Sequence, residues 1–350
     1  YQDYFWISEN FDDTPQYITV KNRCTWSTAR SRQMLNTVIG AQTTKPVESI
    51  SADKVYLAGN VQNDYAVGDH ILLSVVENTN YFVTTSSGEF VLTLVESVTA
   101  EKLPFILGYV AHLSERNIAV AQPILNRQGE LFGSLNERPA VFMRRLKGAP
   151  LDIPNQAQCS VIGHTLAASH QASAELAHDE YQHIYQWCSE VSARVLPELS
   201  DADKHLLQES VLAAGMIPWA HLPQGPIHAD LFPDNALFDG DSLAGLIDFY
   251  HACSAPYLYD LAVTLNAWCY DEQQQHYDTD KASTLLSSYN AVRMLNEEEQ
   301  QWLKAMQKVA ALRFWLSRLR DKLFPKDGEL ITVKDPDGKK QLLERLLKEQ

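Results

Sequence analysis

The sequence predicts an α+β chain built in two lobes, a small antiparallel β lobe followed by a larger, mainly helical lobe. Three observations carry that expectation. Short runs rich in β-branched and aromatic residues crowd into 71–145. Apolar residues at helical spacing dominate from about 155 onward. A single strand–turn–strand pattern, between Ala236 and Ile247, interrupts those helices.

The elements follow in order. Residues 1–68 are rich in Thr, Gln, Asn and Ser, and the pattern assigns them no fold. Ile71 to Val76, Tyr81 to Thr85 and Phe90 to Val95 read as successive strands, with Ser86-Ser87-Gly88 turning between the second and third. Thr99 to Glu115 reads as a helix with Thr99 as N-cap. Val120 to Leu125 and Pro139 to Arg145 read as two further strands. The β lobe therefore spans 69–146 and the helical lobe 147–350. Helices are expected near 155–175, 179–197, 201–215, 257–270, 282–294 and 297–322. Lys326 to Lys340 mixes both signs of charge and contains two Asp-Gly pairs, so it reads as a solvated loop. Two lobes leave a cleft, where ligands usually bind.

Composition narrows the function. The 350 residues include 29 basic and 44 acidic ones, a net charge of −15, and 45% are apolar. That is an ordinary globular balance with ample core. The negative charge argues against a general binder of nucleic acid or of an anionic membrane, which needs a basic face. It leaves room for a nucleotide that arrives with Mg²⁺. The longest apolar run, Leu103 to Leu113, is too short to span a bilayer and contains His112. Five widely spaced cysteines without a C-x-x-C, and no visible basic n-region with an apolar run behind it, fit reduced thiols and a cytoplasmic protein.

The chemistry concentrates in Ile227-His228-Ala229-Asp230-Leu231-Phe232-Pro233-Asp234-Asn235 and in Leu246-Ile247-Asp248-Phe249-Tyr250. Phosphoryl transfer to a hydroxyl needs a carboxylate that orients the alcohol and accepts its proton, and oxygen ligands that hold Mg²⁺ on the ATP phosphates. Asp230 fits the carboxylate, Asn235 a metal ligand five residues on, and Asp248 a second metal ligand. The hairpin between Asn235 and Asp248 brings the two together. His228 belongs to the same catalytic segment, more as a holder of the Asp230 loop than as the base.

These segments resemble the protein-kinase-like fold of the aminoglycoside phosphotransferase superfamily, and within it bacterial homoserine kinases. The resemblance rests on Glu77 to Phe82, Phe90 to Leu94, Leu103-Pro104-Phe105, the H-A-D-L-F segment and Ile247 to Tyr250. It continues through Tyr259 to Val263, Asn266-x-Trp268-Cys269 and Leu312 to Leu319, and covers the chain from about residue 71. It implies ATP- and Mg²⁺-dependent phosphorylation of the L-homoserine hydroxyl in threonine biosynthesis, with Asp230 as base and Asn235 and Asp248 on the metal. It further implies that a strand–turn–strand at Asn78, Thr79, Asn80 and Tyr81 covers the phosphates. The interlobe hinge at Phe142 to Leu146, with Met143 and Arg145, would face adenine. Residues 1–68 match no part of those kinases. Thr93 stands where the wider superfamily carries a phosphate-binding lysine, a feature shared with homoserine kinases of this type.

An amino-acid substrate brings two charges. Its carboxylate wants a guanidinium, and Arg313 and Arg318 are the candidates, against the alternative of helix-surface charges or interlobe ion pairs. Asp271 is the candidate for the ammonium, otherwise a surface residue at a helix end. Tyr250 and Trp268 either wall the substrate pocket or are plain core. Two other readings stay open: a kinase for another small alcohol, an aminoglycoside or choline, and a nucleotide-binding pseudokinase. Neither nucleic acid nor membrane is expected as a partner.

Overall fold

The computed structural model describes residues 19–20, 71–75, 78–85, 88–126, 128–135, 138–176, 183–325 and 334–348. Two compact units emerge. One ends at Leu107 and resumes over Gln122–Arg145; the other holds Gly108–Ala121 and the chain from Leu146. Of the segment 1–68, only 19–20 are described.

The first unit is an antiparallel sheet of β1 (Thr19–Val20), β2 (Ile71–Val75), β3 (Thr79–Thr85), β4 (Gly88–Leu94), β5 (Gly133–Leu135) and β6 (Arg138–Arg144). The order is β1-β3-β4-β6-β5, with β2 also on β3. Thr85 pairs with Gly88 and Thr79 with Leu94, so β3 and β4 form the expected hairpin. Gly88 supplies the φ of 135° that its turn requires. Alternation then sends Phe90, Leu92 and Leu94 into one cluster with Val83, Ala140 and Phe142. The Phe90 and Phe142 rings stack at 5.0 Å. Each such buried side chain contributes about 1.5–3 kcal/mol.

One expectation fails in this region, and one holds with a variation. Val120 to Leu125 makes isolated bridges, Val120 to Leu246 and Pro123 to Met143, and no strand. Pro123 has no N–H to donate to a ladder. The helix begins as a 3₁₀ turn over Ala100–Lys102 before α1 (Leu103–Glu115) takes over. Pro104 sits in the first turn of α1, where its missing donor would have had no partner anyway. Leu103, Ile106, Leu107, Val110 and Leu113 are its buried face.

The second unit is mainly helical: α2 (Gln156–Ser173), α3 (Ile184–Val195), α4 (Asp201–Gly215), α5 (Tyr257–Trp268), α6 (Thr279–Val292), α7 (Glu297–Leu323) and α8 (Asp337–Lys348). Asn155 and Gln158 form a capping box at the start of α2. A Cβ on Gly163 would lie 2.2 Å from the Leu285 carbonyl oxygen, so α2 and α6 approach as closely as they do only over a glycine. Nearly every residue of α5 is buried, as expected of a helix that is apolar all round. Between these helices run β7 (Gln224–Ile227), β8 (Ala236–Asp239), β9 (Ser242–Leu246), β10 (Cys253–Pro256) and a small pair, β11 (Tyr270–Asp271) and β12 (His276–Tyr277). β10 pairs antiparallel with β7, Cys253 opposite Ile227, and leads directly into α5. β8 and β9 close through Gly240-Asp241, with Gly240 at φ 59°. Among the described residues, no helix is long and apolar enough to cross a membrane.

The expected loop over 326–340 is corrected where it is described; 326–333 lie outside the described residues. Asp337-Gly338 is no turn but the first turn of α8. Lys339 next to it is 3% exposed. Its Nζ lies 2.7 Å from Glu272, which also receives both terminal nitrogens of Arg318 at 2.9 and 3.2 Å. Alternating charge marked the segment as solvated, yet a cation goes under when a carboxylate waits for it.

Burial works to raise the Glu272 pKa, but the Lys339 ammonium and the Arg318 guanidinium hold it at about 2, below the ordinary 4.5. A depressed carboxylate adds stability that is complete above its unfolded value and lost as pH falls through the folded one. Glu272→Gln should lower unfolding free energy by about 1–3 kcal/mol near neutral pH, the cost of a lost charge-assisted partner. In urea titrations the gap between the two proteins should close as pH falls from 4.5 toward about 2. A gap independent of pH would contradict this account.

Candidate active site

The site grows from the end of β7. Beyond Ile227 the chain turns through His228-Ala229-Asp230, with Ala229 at φ 64°. That left-handed conformation costs a residue with a Cβ about 1–2 kcal/mol. Asp260, fully buried in the first turn of α5, holds it there. Its Oδ2 accepts the His228 N–H at 2.9 Å and its Oδ1 the Ala229 N–H at 2.8 Å. His170 Nε2 also lies 3.0 Å from Oδ2. Burial pushes the Asp260 pKa up, but these donors win and hold it below the ordinary aspartate value.

His228 is 2% exposed, and both its nitrogens are committed to backbone. Nε2 lies 3.0 Å from the Ile247 carbonyl, so it carries the proton; Nδ1 accepts the Asp230 N–H at 3.3 Å. Burial holds the ring below its usual pKa, hence neutral. This agrees with its expected part as a holder of the Asp230 loop: both ring nitrogens are engaged with backbone, and none is left for a substrate.

Asn235 closes the loop. It ends the 3₁₀ turn Pro233–Asn235 and is buried. Its Nδ2 donates to the Asp230 carbonyl at 2.8 Å and to the Asp230 carboxylate at 3.2 Å. The Asn235 carbonyl accepts the Ile247 N–H at 3.0 Å, extending the β8–β9 ladder by one rung. Asp248 follows at once, exposed and left-handed at φ 62°. Asn235 Oδ1 has no hydrogen bond among the described residues. It and the Asp248 carboxylate are hard oxygen donors, of the kind Mg²⁺ takes. No set of three or more His, Cys, Asp or Glu able to hold a metal occurs among the described residues, so any ion here would draw ligands from substrate or water.

Burial raises the Asp230 pKa to about 6, and His251, Lys334 and Arg313 draw it partly back. Arg313, on α7, has its guanidinium over the Trp187 ring at 4.1 Å and 5.5 Å from the centre of Phe314. Neither Arg313 nor Lys334 has a hydrogen bond or ion pair among the described residues. The loop is packed from the same side: Phe232 meets Phe314 edge-on at 4.9 Å. The Trp268 indole donates to the Leu231 carbonyl at 3.0 Å.

Other expected site residues have different employment. Arg318 donates through both terminal nitrogens to Glu272 and through one of them to the Asp335 carbonyl, so three of its five N–H donors are already engaged. Asp271 Oδ1 accepts the N–H groups of Gln273 and Gln274 and caps its own turn. Trp268 is core, 2% exposed, and Tyr250 is buried in the turn after Asp248. In the small sheet, β3 already begins at Thr79, so Thr79, Asn80 and Tyr81 lie in a strand rather than in a turn. Asn78 Oδ1 accepts from the backbone of Glu96 and Ser97 at 2.8 and 3.0 Å, and the Thr79 hydroxyl donates to Glu96 at 2.9 Å. The Thr93 hydroxyl donates to Asn80 at 2.6 Å. Met143 sits opposite Val91 in the β4–β6 ladder. The Arg145 guanidinium pairs with Glu89 at 2.7 Å and covers the Phe82 ring. His170, Trp187 and Lys334 gave no sequence signal of a site role, because each works through a neighbour distant in the chain.

The chain matches a family of known proteins. Residues 71–295 match the phosphotransferase enzyme family. A homoserine kinase of Methylobacillus flagellatus is 41% identical over 278 residues, 79% of this chain and 86% of the relative. One from Neisseria meningitidis serogroup B is 38% identical over 302 residues, 84% and 97% of the two chains. Among solved structures, an amicoumacin kinase in complex with AMP-PNP and Ca²⁺ superposes with a TM-score of 0.58 at 14% identity, over 80% of this chain and 87% of that one. The chain therefore belongs to the phosphotransferase enzyme family and has its kinase fold. Within that family it stands with the homoserine kinases.

Asp260→Ala would strand two backbone N–H groups and the His170 ring in a buried site. Unfolding free energy should fall by about 3–5 kcal/mol, the cost of breaking a buried charged network. A loss below about 1 kcal/mol in denaturant titration would show that the loop is held by something else.

Proposed function

We propose that this chain transfers the γ-phosphoryl group of ATP to the side-chain hydroxyl of L-homoserine. The observation that carries the reading is the clasp of Asn235 on Asp230. It engages one carboxylate oxygen and the backbone carbonyl of Asp230 together, fixing the side chain against its own loop. Asp230 accepts the hydroxyl proton as the substrate oxygen bonds to the γ-phosphorus and the bond to ADP breaks. Asn235 Oδ1 and the Asp248 carboxylate would hold Mg²⁺, which would supply positive charge against the transferring phosphoryl group. With Thr93 in place of a lysine, these oxygens carry more of that task. The small sheet, with β3 and Met143, takes the nucleotide.

Arg313 binds the substrate carboxylate. It already lies within the field of Asp230, and its guanidinium is stacked on Trp187 without a carboxylate of its own. Cations around Asp230 disfavour an aminoglycoside, whose several ammonium groups want acids. The intact Asp230, Asn235 and Asp248 disfavour a pseudokinase.

Asp230→Asn should lower kcat for ADP release by about 10²- to 10⁴-fold, the usual worth of a positioned base, with ATP affinity retained. Near-normal turnover in that variant sinks the assignment. Arg313→Leu should raise the KM for L-homoserine by about ten- to a hundredfold, as expected for a charge-assisted bond. Turnover of 3-aminopropan-1-ol, which lacks the carboxylate, should stay as in the parent enzyme. Equal losses with both alcohols would show that Arg313 does not read the carboxylate.

A further inference from the structure

Behind the catalytic loop runs a buried chain of polar groups that phosphoryl transfer does not itself use. Glu299, 1% exposed, is bound by Arg293 at 2.8 Å. Arg293 Nη1 lies 3.0 Å from the Tyr289 hydroxyl, which lies 2.8 Å from His170 Nδ1. His170 Nε2 lies 3.0 Å from Asp260, and Asp260 holds His228 and Ala229.

The protons in this chain have one arrangement. A guanidinium only donates, so the Tyr289 oxygen accepts from Arg293 and gives its own proton to His170 Nδ1. The ring proton therefore sits on Nε2 and points at Asp260. Burial lowers the His170 pKa, which keeps the ring neutral and able to play both parts. Tyr257 stacks on His170 at 4.7 Å and lies under the Arg293 guanidinium at 4.8 Å, which fixes the planes of both. The far end is fixed as well. Glu299 and Asn296 form the capping box that starts α7.

We propose that Glu299, Arg293, Tyr289 and His170 are positioning residues for catalysis: through Asp260 they hold Ala229 left-handed and so keep the Asp230 carboxylate in its reacting place. The proposal rests on Asp230 being the reacting carboxylate. None of the four touches the substrate. A neutral His170 of the wrong tautomer, or a Tyr289 without its oxygen, would leave Asp260 free to rotate and the loop free to relax toward ordinary φ.

Tyr289→Phe deletes one oxygen and opens no cavity, so it is the decisive variant; His170→Gln and His170→Leu form the second pair. Tyr289→Phe and His170→Leu should lower kcat with L-homoserine by about ten- to a hundredfold, with both KM values within about twofold, because misplaced groups cost rate more than binding. His170→Gln, whose amide can donate to Asp260, should recover part of the loss. Deuterium uptake over 225–236 should accelerate in Tyr289→Phe while uptake over α4 stays unchanged. Unchanged kcat in Tyr289→Phe overturns the proposal, even if uptake rises; so does unchanged uptake. If His170→Leu does not fold, Tyr289→Phe decides. Uptake needs no substrate, so a parent enzyme inactive on homoserine would sink the functional reading and leave uptake to decide this one.

Discussion

The carboxylate of Asp260 is the constraint on which the second unit is organised. Ionised and without solvent exposure, it is stable only because two backbone N–H groups and a histidine ring point at it. Its requirement for donors is what makes a left-handed Ala229 tolerable. That backbone turn in turn sets the direction of Asp230. β7 and β10 pair next to one another for the same reason: Ile227 must meet Cys253 if the loop after one strand is to lie over the helix that follows the other. A carboxylate on a loop is normally mobile. This one is fastened from beneath by Asp260, from the side by Asn235 and above its neighbours by the Trp268 bond to Leu231.

Charge in this protein divides by whether it is already matched. Arg318, Arg293 and Arg145 each lie against a glutamate, and a matched guanidinium has little left with which to choose a ligand. Arg313 is different. An aromatic face holds its plane without neutralising its charge, so the donors stay oriented and unspent. Stacking of this kind orders a cationic side chain without spending its charge, which lowers the entropic cost of any later ion pair.

The small sheet spends its polar residues on itself. Asn78 ties the end of β4 to the start of β3, and Thr93 and Asn80 satisfy one another across the ladder. A lysine at Thr93 would need a partner acid beside it, and the strand offers an asparagine instead.

Local pattern was enough for the α+β division, for the β3–β4 and β8–β9 hairpins and for most helices, because alternation and helical spacing are properties of neighbouring residues. That Asp230 and Asn235 come together was legible for a related reason: five residues separate them, and the structure joins them through two hydrogen bonds. Where the sequence left two readings open, packing supplied partners. Arg318 and Trp268 meet Glu272 and the Leu231 carbonyl from distant parts of the chain, while Asp271 caps its own turn. In the same way Lys339 left the solvent only because Glu272 and α8 meet in space. The sequence by itself determined which groups could carry phosphoryl transfer. The tertiary structure alone decided which of them remain unspent, since a hydrogen bond or ion pair between distant residues depends on packing that no local pattern encodes.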